Sequence, residues 1–283
     1  MQQIIEILEH SLIDTIKLLP FLFFTYLIME YIEHKTSDKV KETIKKSGKF
    51  GPFIGGLLGI FPQCGFSVSA TNLYATRVIT LGTLISVYLT TSDEMLPILI
   101  TEAIPLSIIL QILAIKFAIG IIAGFIIDLV IRKKHIEEQN EHICEFCEHE
   151  HCHCEQSILK SSLKHSINIL IFIFIITVII NAIIHLVGEE TIAKFVSHNI
   201  ILGPIIAGVI GLIPNCASSV ILTELFVENI ISMPILISGL CVNAGVGLLV
   251  LFKTNKNLKE NFKIVCLLYF IGVISGSILE IIL

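Results

Sequence analysis

Apolar residues in this chain run in long blocks instead of recurring at amphipathic spacing. Phe21–Ile32, Ile54–Phe61, Ile104–Ile131, Ile167–Leu186, Ile200–Ile213 and Val265–Leu283 are almost unbroken. A helix that crosses a bilayer needs about 20 mostly apolar residues, and the pattern predicts such spans near 10–32, 78–99, 103–131, 160–187, 230–252 and 263–283. Two further apolar stretches, 51–76 and 203–227, are each cut near the middle by a Pro-polar-Cys step. The first piece, Gly51–Phe61, reaches roughly 16 Å at 1.5 Å per residue, about half a bilayer. Two half-length helices around a polar tip read as a re-entrant hairpin, which is tolerated where protein or a water-filled cavity covers the bare backbone. The alternative is a single Pro-kinked span.

Composition fixes the solvent. Of 283 residues, 54% are hydrophobic and 15% charged, where soluble domains carry about 25% charged residues; the mean hydropathy is +0.88. A secreted enzyme, a nucleic-acid binder and a coiled coil are excluded, and the net charge of −5 supplies no basic footprint for nucleic acid. The expected fold class is an all-α polytopic membrane protein. Met1–Leu19 carries Glu6, Glu9 and Asp14 against Lys17, unlike the basic start of a cleaved leader, so the first run reads as a retained helix. Glu33–Lys49 holds six Lys against three acids and is assigned to the cytoplasm by the positive-inside rule. If both broken stretches are hairpins, Arg77, the Arg132-Lys133-Lys134 cluster and Lys253–Lys263 also fall inside, while Glu102, Gly188–Asn199, Glu224 and Glu228 fall outside. With two kinked spans the Arg-Lys-Lys cluster would face out, so charge favours the hairpins. The expected location is a bacterial-type cytoplasmic (inner) membrane.

The broken stretches are copies. Aligned at an offset of 152, the 25 positions from 51 to 75 share eleven identities, among them Gly51/Gly203, Pro52/Pro204, Gly59/Gly211, Pro62/Pro214, Cys64/Cys216, Ser67/Ser219 and Thr71/Thr223. The expected organisation is a membrane repeat over 1–131 with its hairpin at 51–76, a cytoplasmic linker over 132–159, and a second repeat over 160–283 with its hairpin at 203–227. Three spans and one hairpin per repeat make an odd number of crossings, so the two halves would have inverted topology, a common plan among secondary transporters.

Four constellations carry candidate chemistry. Pro62-Gln63-Cys64-Gly65-Phe66-Ser67 and its mate Pro214-Asn215-Cys216-Ala217-Ser218-Ser219 free backbone carbonyls at the proline. They also present helix N–H groups, neutral side-chain donors and a thiol; Gln63, Cys64, Ser67, Asn215, Cys216 and Ser219 are candidate substrate ligands. Tight packing of small residues is the plainer account. Thr90-Thr91-Ser92-Asp93-Glu94 puts two carboxylates in an apolar stretch, at a cost of at least ~2.5 kcal/mol each unless paired, protonated or metal-bound. Ser92, Asp93 and Glu94 are therefore candidate ligands, and so is Asn243 in the mate segment. Asp93 and Glu94 are also candidates for proton coupling, because neighbouring carboxyls can share a proton. Lys116 lies mid-run in 103–131, where it either snorkels or pairs with Asp93 or Glu94 as part of that coupling. Asp128 and Glu280, near run ends, read as interfacial.

The fourth is the linker His142–Cys154, where Cys144, Cys147, His149, His151, Cys152, His153 and Cys154 are candidate metal ligands with soft-metal character. No zinc-finger scaffold surrounds them, so a mobile metal-capturing tract is expected, its thiols kept reduced on the cytoplasmic side. A metal ion at the linker is the one bound group expected, and no cofactor is required.

The run GLLGIFPQCGFSVSATNLYATRVITLGTLISVYLTTSDEMLPIL, its partner GLIPNCASSVILTELF and the central His/Cys-rich linker resemble the ten-helix heavy-metal exporter family, whose members go by arsenic efflux protein or manganese transporter and which is related to the organoarsenical permeases. The resemblance covers nearly the whole chain. It implies ten helices, which agrees with five per repeat when each hairpin counts as two. It also implies efflux of a metal or metalloid, with Cys64, Asp93, Glu94 and Cys216 at the transport site.

The function expected from these residues is secondary-active efflux of a divalent heavy-metal cation, manganese-like or softer, by proton antiport, with the site between the hairpin tips. An arsenite or organoarsenical permease is the alternative, and a membrane thiol oxidoreductase using Cys144 and Cys147 is a weaker one. No GxxxxGK[ST] or His-Glu-x-x-His motif is present, so neither ATP hydrolysis nor zinc proteolysis is expected. The expected partners are the ion and the bilayer; self-association into a homo-oligomer is left open.

Overall fold

The computed structural model describes residues 50–62, 64–92, 94–131, 158–187 and 202–282, with scattered helical positions between 12 and 27. All regular structure among them is helical. In chain order the helices are α1 (Gly51–Gly59), α2 (Gly65–Ala75), α3 (Leu81–Thr90), α4 (Met95–Thr101), α5 (Leu106–Ile131), α6 (Ile158–Val187), α7 (Gly203–Gly211), α8 (Cys216–Val227), α9 (Met233–Val242), α10 (Gly247–Thr254) and α11 (Leu258–Ile282).

Both Pro-polar-Cys steps break their helices. Pro52 and Pro204 sit in the first turns of α1 and α7, where a missing N–H costs nothing. Each first half stops after nine residues, and each half then packs on the one that follows it. At about 14 Å, a nine-residue helix cannot cross a core about 30 Å thick.

The spans expected at 78–99 and 230–252 are each interrupted within their length. The first divides into α3 and α4 around 91–94, the second into α9 and α10 around 243–246. Side-chain hydrogen bonds engage the backbone at both places. Thr90 and Thr91 hydroxyls donate back to the Ser86 and Val87 carbonyls at 2.8 and 2.7 Å. Asn243 Oδ1 accepts the Gly245 N–H at 2.8 Å, and Gly245 takes the left-handed conformation (φ 54°) that glycine adopts without strain.

Long helices α5 and α11 meet the apolar solvent. Leu106, Leu110, Ile122 and Ile126 on α5, and Phe270, Ile274 and Ile278 on α11, are exposed. The spans Leu106–Val130 and Leu258–Ile282 are each only 22% buried, whereas Met233–Thr254 is 89% buried at the centre. A helix that exposes Leu and Ile along its length is stable only where the surroundings are apolar; the chain is an integral, multi-pass membrane protein.

Many helix contacts recur when each helix is exchanged with the one 152 residues away. α1 packs on α3 and α3 on α5, as α7 packs on α9 and α9 on α11. Across the halves α2 meets α10 and α8 meets α4, while α9 meets α5 and α3 meets α11. Individual bonds repeat as well. Ser86 Oγ donates to the Pro52 carbonyl at 2.6 Å, and Ser238 Oγ to the Pro204 carbonyl at 2.8 Å. Thr80 Oγ1 donates to Asp128 at 2.7 Å, and Ser232 Oγ to Glu280 at 2.8 Å. Thr80 and Ser232 are also the N-caps of α3 and α9, so Asp128 and Glu280, read from sequence as interfacial, also bind the capping side chains of the central helices. Asp128 additionally accepts the Gly82 N–H at 2.9 Å. Asp128→Ala is expected to lower stability by about 0.5–2 kcal/mol, the usual worth of a helix cap, read as a lower melting temperature of the purified protein; an unchanged melting curve would contradict the capping role.

Candidate substrate site between the hairpin tips

The two tips come together. Cys64 stands at the N-cap of α2 and Cys216 opens α8, and their Sγ atoms lie 3.7 Å apart. Cys216 is buried and Cys64 half-buried, neither is in a disulfide, and the Cys216 thiol donates to the Cys64 sulfur. Identical local bonds place the two. Ser67 Oγ donates to the Cys64 carbonyl and Ser219 Oγ to the Cys216 carbonyl, both at 2.7 Å. Thr71 and Thr223 hydroxyls then donate to the Ser67 and Ser219 carbonyls at 2.7 and 2.6 Å. Asn215 caps α8 by accepting the Cys216 N–H at 2.7 Å. The serines and Asn215 thus orient the tips through the backbone.

The breaks in the central helices lie alongside. Ser92, Asn243, Ser67, Ser219 and Asn215 are all buried, and Glu94, at the start of α4, is half-buried. Thr71 and Tyr88 hydroxyls lie 2.5 Å apart, and both reach the Gly247 carbonyl, at 3.2 and 3.3 Å. This tie from α2 and α3 to the start of α10 was not anticipated, since three apolar-run residues at unrelated spacings leave no sequence signal.

Lys116 does not snorkel. It is 1% exposed, and its ammonium donates to the Thr91 carbonyl and, at 3.4 Å, to the Leu240 carbonyl. Thr91 ends α3 and Leu240 lies in the last turn of α9, so one cation serves carbonyls near the breaks of both halves. The position 152 residues on is Leu268, fully buried. The two halves therefore share a skeleton but not their charge.

A second polar cluster lies at one end of the halves. Arg77, which takes a left-handed backbone (φ 59°) after α2, forms a forked pair with Glu260 in the first turn of α11, at 2.8 and 3.0 Å. Tyr74 hydroxyl also donates to Glu260, and the guanidinium lies 5.3 Å from the Tyr74 ring centroid. Its mate, Asn229, has the same backbone conformation (φ 59°) and no charge to offer. Sequence alone had used Arg77 only as a marker of sidedness.

Of the residues expected at the site, Gln63, Asp93 and the linker ligands Cys144, Cys147, His149, His151, Cys152, His153 and Cys154 lie outside the described residues. Among the described residues, no cluster of three or more His, Cys, Asp or Glu side chains is assembled.

Discontinuous helices packed beside long lipid-facing helices define a polytopic membrane protein. The chain belongs to the family described as "Putative, 10TM heavy-metal exporter", whose model matches residues 3–188. No curated protein and no solved structure matches the chain. Membership points to a transporter, with a metal ion as the implied substrate class.

Proposed function

We propose that the protein is a proton-driven, secondary-active exporter of a divalent heavy-metal cation, built from two inverted repeats and binding its ion between the two hairpin tips. The observation that carries this reading is the meeting of Cys64 and Cys216 at 3.7 Å, one thiol from each half, in a chain that belongs to an exporter family.

The Arg77–Glu260 pair supports the topology. An ion pair requires both residues on one side of the membrane. Two hairpins put Arg77 and Lys253–Lys263 on the cytoplasmic side together with Lys-rich 33–49. Two kinked spans would put Arg77 outside and Glu260 inside, and a hairpin in the first half alone would separate them the other way. Kinking only the first stretch keeps the pair but places Lys253–Lys263 outside, against the positive-inside rule. The exchange of packing partners between halves agrees with the same plan.

In this reading the cytosolic ion is gathered by the His/Cys linker, loses its water between the tips and is held while the halves rock. Asp93 and Glu94 carry the exchanged proton, and Lys116 holds the broken ends of α3 and α9 together until the halves move. The setting is a bacterial-type inner membrane. An arsenite permease is the second reading, favoured by the same soft thiols. Inverted membrane vesicles offered manganese, zinc, cobalt, cadmium and arsenite should accumulate at least one divalent cation, and more so with an inward-acid gradient. Accumulation of arsenite alone would select the second reading, and accumulation of none would end both.

A further inference from the structure

We infer that Cys64 and Cys216 form a two-thiolate half-site selective for tetrahedral d¹⁰ dications of the zinc and cadmium type, and not for manganese. This rests on the exporter reading and names its substrate class. Two thiolates about 2.3 Å from a tetrahedral Zn²⁺ stand about 3.7–3.8 Å apart, and the Sγ atoms here are 3.7 Å apart before any ion is placed between them. A linear two-thiolate ion with the same bond length would need about 4.6 Å, which means spreading the tips. Manganese takes carboxylate, carbonyl and water oxygens in octahedral arrays, whereas paired thiolates offer soft sulfur.

The count of ligands suits cargo. Structural zinc sites close all four positions with protein ligands, whereas working sites leave a position open. Two protein thiolates leave two positions for water, so the ion is held without being trapped. Each sulfur belongs to a different half of the molecule. Any rocking that parts the tips therefore dismantles the site, and release follows from geometry. Binding forms two sulfur–metal bonds and sends the two thiol protons to solvent, so charge at the pair balances for a dication.

The same bonds that orient the thiols also argue for a built site. Ser67 and Ser219 fix the backbone at each cysteine, at matching distances of 2.7 Å, and Asn215 holds the Cys216 N–H. The backbone at both tips is thus held in place before binding. Cys241 and Cys266, the other described thiols, serve as internal controls: one is buried in the core and the other exposed.

The test uses full-length protein in detergent with Cys144, Cys147, Cys152 and Cys154 changed to Ser, so that linker thiolates cannot contribute. Titration with Co²⁺ or Cd²⁺ should give a thiolate-to-metal charge-transfer band saturating at one equivalent. Zn²⁺ should abolish the Co²⁺ band, and a tenfold excess of Mn²⁺ should leave it. Cys64→Ser and Cys216→Ser should each lose the band, while Cys266→Ser keeps it, with circular dichroism confirming that each variant is folded. A folded protein with no band, a band that survives loss of either tip cysteine, or Mn²⁺ competing on equal terms would overturn the inference. So would a pair that takes up a monosubstituted trivalent arsenical but ignores Co²⁺ and Cd²⁺. Vesicle transport without a band would sink this inference and leave the exporter reading intact; a band without any vesicle transport would do the reverse.

Discussion

Gly211→Val is expected to abolish accumulation of folded protein. Gly211 is the last residue of α7, and a Cβ there would fall on the carbonyl oxygen of Gly239 in α9, with the Val242 Cβ 3.2 Å away. The obstacle is helix backbone in the buried centre, which cannot swing aside as a flexible side chain would. Gly239 is hemmed in reciprocally, since its own Cβ would stand 2.9 Å from the Ala207 carbonyl oxygen. Overpacking alone costs about 1–3 kcal/mol; here it also pushes α7 away from α9 and lifts the second tip off the first. Gly59, 152 residues earlier, meets the Val87 carbonyl oxygen at 2.7 Å, and Gly59→Val should behave alike. Val209, on the same helix but 55% exposed, provides the control: Val209→Ala should change stability by no more than about 0.5 kcal/mol. Size-exclusion profiles and melting curves in detergent give the readout. A Gly211→Val protein that melts like the parent would mean the hairpin does not pack against α9 in this way.

Reversing one charge at the end cluster is expected to have the next largest effect. Arg77→Glu places two carboxylates where a forked pair stood, with Tyr74 and Asn255 still pointing at Glu260. Charged hydrogen bonds of this kind contribute about 1.5–3 kcal/mol, and like-charge repulsion adds to the loss. The pair is some four-fifths buried, with side chains 21% and 18% exposed, so solvent does not screen it as it would a surface bridge. The double variant Arg77→Glu/Glu260→Arg should recover much of the stability, because the swap restores opposite charges across the same gap. Recovery measures the pair itself, and it bears on sidedness, since residues on opposite faces of a membrane could not rescue each other. Absence of any rescue, with both single variants behaving like the parent, would remove the pair from the argument for hairpin topology.

Much of this architecture was legible before any coordinates. The half-length helices follow from 1.5 Å per residue and the prolines at 62 and 214. The copied skeleton from 51 to 75 anticipated that Cys64 and Cys216 would hold equivalent places. The same offset runs further than that window, through Thr80/Ser232, Ser86/Ser238, Gly120/Gly272, Gly124/Gly276 and Asp128/Glu280. These pairs escaped notice because identical residues there are sparse and the meaning lies in which partner each one touches. The breaks in the 78–99 and 230–252 spans were hidden for a related reason. Hydropathy records that Leu81–Thr90 is apolar, but not that Ser92 and Lys116 take the last carbonyls of α3, or that the Asn243 side-chain oxygen takes the Gly245 N–H.

What the sequence determined by itself is the solvent, the helical class, the repeated Gly/Pro/Cys skeleton and the breaks next to Pro62 and Pro214, since each depends on composition or on the order of residues along the chain. Only the tertiary structure decided that the two cysteines meet, that Lys116 serves broken ends from both halves, and that Arg77 finds Glu260. Those contacts join residues 152, 124 and 183 positions apart. Their distances are set by how helices of the two halves pack, and no local spacing along the chain carries that information.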